Sequence, residues 1–225
     1  LYNHKKGLCI LNIEKYKEQL NDEQLLAVTT IDGPVLIDAG AGSGKTHTLT
    51  NRAAYIIDNG AVPESILLLT FTNNAAEEMK NRANKLLGYD EQSQEKEIHQ
   101  IMACTYHSFC AAMLRRYGML VDIESNFSII TGADTTSALA FAKSKAEKKY
   151  KLRGFPQNKV TCQIFSMAIN KSISIKECTK LYFSKYADFV DELEDLRKDY
   201  DEYKKKHNLM DYDDLLVNFD KMLDN

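Results

Sequence analysis

The stretch Ala39-Gly40-Ala41-Gly42-Ser43-Gly44-Lys45-Thr46 constrains the fold of this chain more than any other. It follows an apolar run, Pro34-Val35-Leu36-Ile37-Asp38, that predicts a strand, and it precedes a helical pattern over residues 48–57. Strand, glycine-rich turn, Gly-Lys-Thr and helix N-terminus are together the parts of a nucleotide phosphate loop. Several successive backbone N–H groups must converge on one small volume, and glycine permits the φ values this demands. Lys45 would place its charge on the β- and γ-phosphates, and the Thr46 hydroxyl would complete a Mg2+ shell. The general pattern opens with glycine, and Ala39 stands there instead. The plainer alternative is an ordinary glycine-rich β-to-α turn. The context favours a nucleoside triphosphate site.

A chain of 225 residues, 44% hydrophobic, can bury one large core or two modest ones. The formal net charge of −3 provides no global basic field, so any contact with nucleic acid must come from local patches. Cys9, Cys104, Cys110, Cys162 and Cys178 form no Cys-x-x-Cys pair. With no secretory segment at the N-terminus they read as reduced thiols of a cytoplasmic protein. No apolar run reaches membrane-spanning length. The chain starts at Leu1 and stops inside a helical pattern, which predicts a piece of a longer protein.

Taken in order, Asn21 followed by Gln24 and then Leu25-Leu26-Ala27-Val28 predicts a helix N-cap with a reciprocal side chain at its third position. Gln24 also carries a donor pair and an acceptor, which is what reading an adenine edge requires. Taken alone, this segment favours the cap. Ile66-Leu67-Leu68-Leu69-Thr70-Phe71 is a continuous apolar run of the kind found in parallel sheets. It ends in Thr72-Asn73-Asn74, and a helix over residues 75–87 closes at Gly88. Phe71, Thr72 and Asn73 thus lie at the carboxyl end of a strand, where open α/β sheets place ligands. Taken alone, a buried Phe followed by a Thr or Asn cap is the better account of them.

A third strand is expected over residues 98–105, running into Tyr106-His107-Ser108. Ser108 would cap a helix over residues 109–117, with Arg115 and Arg116 near its C-terminus. An aromatic and an imidazole beside a strand end, followed by two arginines, suit base stacking and phosphate neutralisation. A capping or surface histidine is the plainer account. Beyond residue 130 the chain reads as mostly helical. Residues 143–153 are basic, with Glu147 the lone acid, and residues 188–202 are acidic. Phe189, Leu193, Leu196, Tyr200 and Tyr203 are spaced for one buried face. Both charge runs read as solvated helix faces, and the basic one has the better claim on a phosphate backbone. Asp211, Asp213 and Asp214 suggest either a metal cluster or an acid-rich helix N-terminus, and the latter is simpler.

These segments together resemble the UvrD/Rep/PcrA family of superfamily 1 DNA helicases. The resemblance rests on Leu20-Asn21-Asp22-Glu23-Gln24 as the Q motif, Ala39 to Thr46 as Walker A, and Leu69-Thr70-Phe71-Thr72-Asn73-Asn74-Ala75-Ala76-Glu77-Glu78-Met79. It continues through Thr105-Tyr106-His107-Ser108-Phe109 into Leu114-Arg115-Arg116, and through Asp211-Tyr212-Asp213-Asp214-Leu215-Leu216. The segments occur in the family's order and at its spacings, and an alanine opening to Walker A is common there.

The resemblance implies an α/β fold, a P-loop NTPase with a RecA-like parallel sheet flanked by helices and interrupted by a helical insertion. The first core domain would span residues 8–114, the insertion 115–208, and the return into the core 209–225. By position, Gln24, residues 39–46 and His47 would bind ATP, with Gln24 reading adenine. Lys45 and Thr46 would be the catalytic pair, Thr46 holding Mg2+. Phe71, Thr72, Asn73, Tyr106 and His107 would line a track for single-stranded DNA, in a protein acting on single-stranded and partly duplex DNA.

Three positions depart from the family. His47 replaces a common arginine near the base, Asn74 a frequent lysine, and Tyr106 the usual phenylalanine. The family continues past this point to a Walker B Asp-Glu pair and a second core domain, so this chain alone is expected to be nearly inactive in hydrolysis. The whole enzyme would couple ATP hydrolysis to 3′-to-5′ translocation and unwinding. Two rivals remain: the helicase module of a RecB/AddA-like helicase–nuclease, and a P-loop kinase or signalling NTPase without DNA activity.

Overall fold

The computed structural model describes residues 13–88, 101–144, 150 and 152–224. These form a mostly helical α/β protein with two small parallel sheets, in two compact units, Leu1–Tyr106 and His107–Asn225.

In the first unit, α1 (Asp22–Thr29) starts where the sequence predicts. The Asn21 side chain accepts from the Gln24 N–H at 2.8 Å, and Gln24 Oε1 accepts from the Asn21 N–H at 3.2 Å. That reciprocal pair satisfies two of the donors a helix start leaves open. α2 (Lys45–Asp58) follows the glycine loop. β1 (Leu67–Thr70) leads into α3 (Asn73–Leu86), and β2 (Met102–Thr105) pairs with β1 in parallel. Val28 packs with Tyr16, Leu20, Ala54 and Tyr55, joining α1 to α2. Leu68 packs with Ala53, Met79, Ala83 and Ile101, joining the sheet to α2 and α3. Full burial of a residue such as Val28 or Leu68 contributes roughly 1.5–3 kcal/mol.

α4 (Tyr106–Tyr117) begins at the unit boundary. The second unit continues with β3 (Ser128–Ile129), α5 (Ala133–Ser144), α6 (Asn158–Asn170), α7 (Ile175–Tyr182), α8 (Val190–Lys206), β4 (Leu209–Met210) and α9 (Tyr212–Leu223). The acidic helix α8 buries its apolar stripe: Leu193, Leu196 and Tyr200 lie in one cluster with Leu139, Ile164 and Phe165. Phe189 precedes α8, in a short 3-10 turn. A second cluster, Leu114, Phe127, Met210, Leu215 and Met222, packs α4 against α9, where β4 pairs in parallel with β3.

Several expectations need correction. Residues 34–38 form no strand, and Leu36 is 95% exposed. An apolar run becomes a strand only where a neighbour completes its hydrogen-bond ladder, and no described strand pairs with it. The expected RecA-like sheet is accordingly represented by a two-stranded pair. Ser108 lies inside the first turn of α4, because that helix starts at Tyr106. β2 starts at Met102, and residues 98–100 of the expected strand lie outside the described residues. Of the basic run, residues 145–149 and 151 also lie outside them. Lys143 is part-buried, donates to Asn158 Oδ1 at 3.1 Å and sits 4.5 Å from the Phe155 ring centroid. Burial pushes its ammonium below the usual lysine range.

Candidate functional site: a glycine loop and two strand ends

The glycine loop runs from Ala39 to the start of α2. Gly42 and Gly44 adopt φ values of +77° and +86°, which only glycine enters freely. The second of these is the N-cap of α2, so no side chain caps the helix and its first N–H groups face the loop. Lys45 Nζ folds back into the curl and donates to the carbonyls of Ala39 and Gly40, both at 2.7 Å. That engages two of the three donors of the ammonium. Ser43 Oγ donates to the Gly40 carbonyl at 2.7 Å and tightens the turn. Thr46 is exposed on the first turn of α2. The space over Gly40, and over Gly42, is open.

Gln24 fulfils the capping role its sequence context predicts and also reaches the glycine loop. While its oxygen completes the capping box, Nε2 donates to the Ser43 carbonyl at 3.2 Å. A Cβ on Gly44 would lie 3.1 Å from that same Nε2, so a larger residue there would push the Gln24 amide by a few tenths of an ångström in addition to straining φ. A cavity of about 510 Å³ lies here, lined among others by Gln24, Val35, Ala39, Ser43, Lys45 and Thr48. His47 Nε2 lies 3.4 Å from the Gln19 carbonyl, and Asn51 Nδ2 donates to the His47 carbonyl at 2.8 Å.

The residues present fit a nucleotide with its cation. Open space over Gly40 and Gly42, the open N–H groups of a helix start and a lysine within the loop suit a polyphosphate, and the Thr46 hydroxyl is the ligand type a Mg2+ ion takes. Bound there, Mg2+ would neutralise charge on the β- and γ-phosphates.

The strand ends form a second feature. Register pairs Thr70 with Thr105, so the next residues, Phe71 and Tyr106, emerge side by side. Their ring centroids are 6.0 Å apart at 40°, and both are exposed, Phe71 at 91%. A solvent-facing aromatic pair is an unusual use of apolar surface and suits stacking on planar ligands. Thr72 is the N-cap of α3, its hydroxyl accepting from the Ala75 N–H at 3.2 Å, and exposed Asn73 opens that helix. In the second unit His107 is half-buried, its ring 4.7 Å from that of Tyr212.

Asp211 caps α9 in a capping box with Asp214, which answers the choice between helix start and metal cluster. Among the described residues no group of three or more acids, histidines or cysteines is arranged to hold a metal. Their partner is Lys204, 3% exposed, with Nζ 2.8 Å from Asp211 and 2.6 Å from Asp214. Tyr200 also donates to Asp211, at 3.2 Å. Burial works to raise both carboxyls. Lys204 carries Asp211 below the usual range, whereas Asp214 stays raised by burial and by the neighbouring Asp211 charge. Sequence reasoning passed over Lys204 as one of three lysines. Its position four residues after Tyr200, on the buried stripe, was the available signal.

A loop with two left-handed glycines, capping a helix whose first residue is a lysine turned into the loop, defines the P-loop class. Within that class the chain belongs to the UvrD/REP helicase family, whose N-terminal domain matches residues 20–225. It is 46% identical over 123 residues to the ATP-dependent DNA helicase PcrA of Staphylococcus epidermidis, and 46% identical over 121 residues to that of Staphylococcus aureus. The matched stretches cover 54% and 53% of this chain, and 16% of the length of each relative.

Proposed function

We propose that this chain is the nucleotide-binding portion of an ATP-dependent DNA helicase. Residues 39–46 cradle the phosphates of ATP, Lys45 neutralises them, Thr46 holds Mg2+, and Gln24 and His47 face the base. Phe71, Thr72, Asn73, Tyr106 and His107 contact single-stranded DNA. The map keeps a first RecA-like core at residues 8–114, an insertion at 115–208 and a return at 209–225. In the whole enzyme hydrolysis drives 3′-to-5′ translocation and unwinding of partly duplex DNA, in the cytoplasm.

The observation that carries this reading is the Lys45 ammonium inside the glycine loop, with Gln24 against the same loop. The exposed Phe71–Tyr106 pair supports the DNA side and disfavours a P-loop kinase. The relatives bear the name of a helicase, which favours this reading over a helicase–nuclease module.

The test is DNA-stimulated ATP hydrolysis by the full-length protein. Lys45→Ala is expected to abolish it together with tight ATP binding. Phe71→Ala and His107→Ala are expected to weaken a salt-dependent affinity for single-stranded DNA while sparing ATP affinity. Unchanged DNA affinity in both variants would remove the DNA track from this reading.

A further inference from the structure

We propose that Arg52 is a positioning residue for nucleotide-base recognition, acting through α1 on Gln24. The inference rests on the base-side role of Gln24 given above.

α1 has eight residues, too few for a helix to persist unaided. It has no basic residue in its last turn, where the helix dipole and the open carbonyls call for one. Arg52, on α2, supplies that charge from outside. Its Nη1 donates to the Ala27 carbonyl at 2.5 Å and also to the Thr30 carbonyl. Thr29 and Thr30 use their hydroxyls on carbonyls of α1 itself, Leu25 and Leu26, so they add no tie to another element.

α1 is therefore fastened to the loop-bearing part of the unit by two polar ties and an apolar middle. Gln24 reaches Ser43 near its start, Val28 and part-buried Leu25 pack in the cluster of Ala54 and Tyr55, and Arg52 holds its end. The middle attachment is apolar and non-directional, and permits rotation. The two polar attachments set pitch and turn. Gln24 lies three residues before Ala27, on the same face one turn earlier. With Arg52 released, α1 turns on its apolar middle, Leu25 and Val28, and the Gln24 amide swings away from the loop. Recognition of the base is then lost while the phosphate contacts of Lys45 and the loop remain.

The experiment measures equilibrium affinity for ATP and GTP in the full-length protein and in the variants Gln24→Ala, Arg52→Met and the double variant. Methionine keeps an unbranched apolar stem and removes every donor. Gln24→Ala by itself tests the base-side reading and is expected to erase the preference for ATP over GTP. Arg52→Met is expected to reduce that preference up to about tenfold, the size of one neutral hydrogen bond lost between the Gln24 amide and the base. In the Gln24→Ala background it should reduce it no further, and Arg52→Lys should restore most of it. An unchanged ATP/GTP ratio in Arg52→Met would overturn the proposal, as would a loss that adds in full to that of Gln24→Ala. A fall in melting temperature with an unchanged ratio would make Arg52 structural only. Should Arg52→Met fail to fold, Arg52→Gln, which retains one donor group, is read against the same ratio. If Gln24→Ala leaves the ratio intact, the base-side reading fails, and the Arg52 proposal with it.

Discussion

At the residue scale, the second unit depends most on Lys204. An ammonium only 3% exposed is tolerable because Asp211 and Asp214 contact it closely, Asp201 lies at 3.5 Å, and the Tyr200 ring faces it at 4.3 Å. Truncating it leaves Asp211 and Asp214 buried with their principal counter-charge gone. Lys204→Met is expected to cost about 3–5 kcal/mol, read as a lower urea midpoint at unchanged m-value. Tyr200 makes a separate claim about pH. Burial, and then the Asp211 charge, push its phenol well above the usual tyrosine range. A group whose folded pKa is raised adds stability that is complete below its unfolded value, about 10, and declines as pH rises beyond it. Unfolding free energy should therefore be flat with respect to this group up to about pH 10 and fall above it. Tyr200→Phe should flatten that alkaline fall, although it also removes the hydrogen bond to Asp211.

At the element scale, the glycine loop and α1 behave as one piece through Gln24. Gly42 and Gly44 have the same backbone demand and differ in surroundings. Alanine at either position costs about 1–2 kcal/mol for the left-handed conformation. Only at position 44 does the new Cβ also crowd Gln24 Nε2. Gly44→Ala is thus expected to weaken ATP binding more than Gly42→Ala at comparable loss of stability, which titration and thermal melts of the pair would separate. The strand ends follow similar logic. Phe71 and Tyr106 are far apart in sequence and meet because of the register between β1 and β2. Each strand was legible from its apolar run, whereas their pairing was not.

For the whole molecule, each unit has its own buried clusters. Leu68, Met79, Ala83 and Ile101 serve the first, and Leu139, Ile164, Leu193 and Leu196 the second. Units with separate cores open with separate free energies. Hydrogen exchange of the full-length protein is expected to resolve two protected groups of amides, centred on β1–α3 and on α8. A single cooperative group covering both would overturn that division. No described helix is long and apolar enough to cross a membrane, and Cys104, Cys110, Cys162 and Cys178 are free thiols.

The sequence by itself determined the local signals that depend on neighbours in the chain: the capping box at Asn21, the acid-rich helix start at Asp211, the glycine turn before Lys45, and the buried stripe of α8. Each rests on contacts within one or two turns, which spacing and residue type prescribe. The order of its motifs was also enough to identify the family. Only the tertiary structure decided what required partners remote in sequence. It left residues 34–38 out of any ladder among the described strands, because a strand is a property of two segments. It set Phe71 beside Tyr106, buried Lys204 between two carboxylates, and placed Arg52 at the end of a helix it does not belong to. These are matters of where side chains meet, and no periodicity in the chain encodes them. The loop from Ala39 to Thr46 could be read in advance as a cradle for phosphate. That Gln24 reaches this loop from α1, and that Arg52 holds the far end of α1, could be read only from the folded chain.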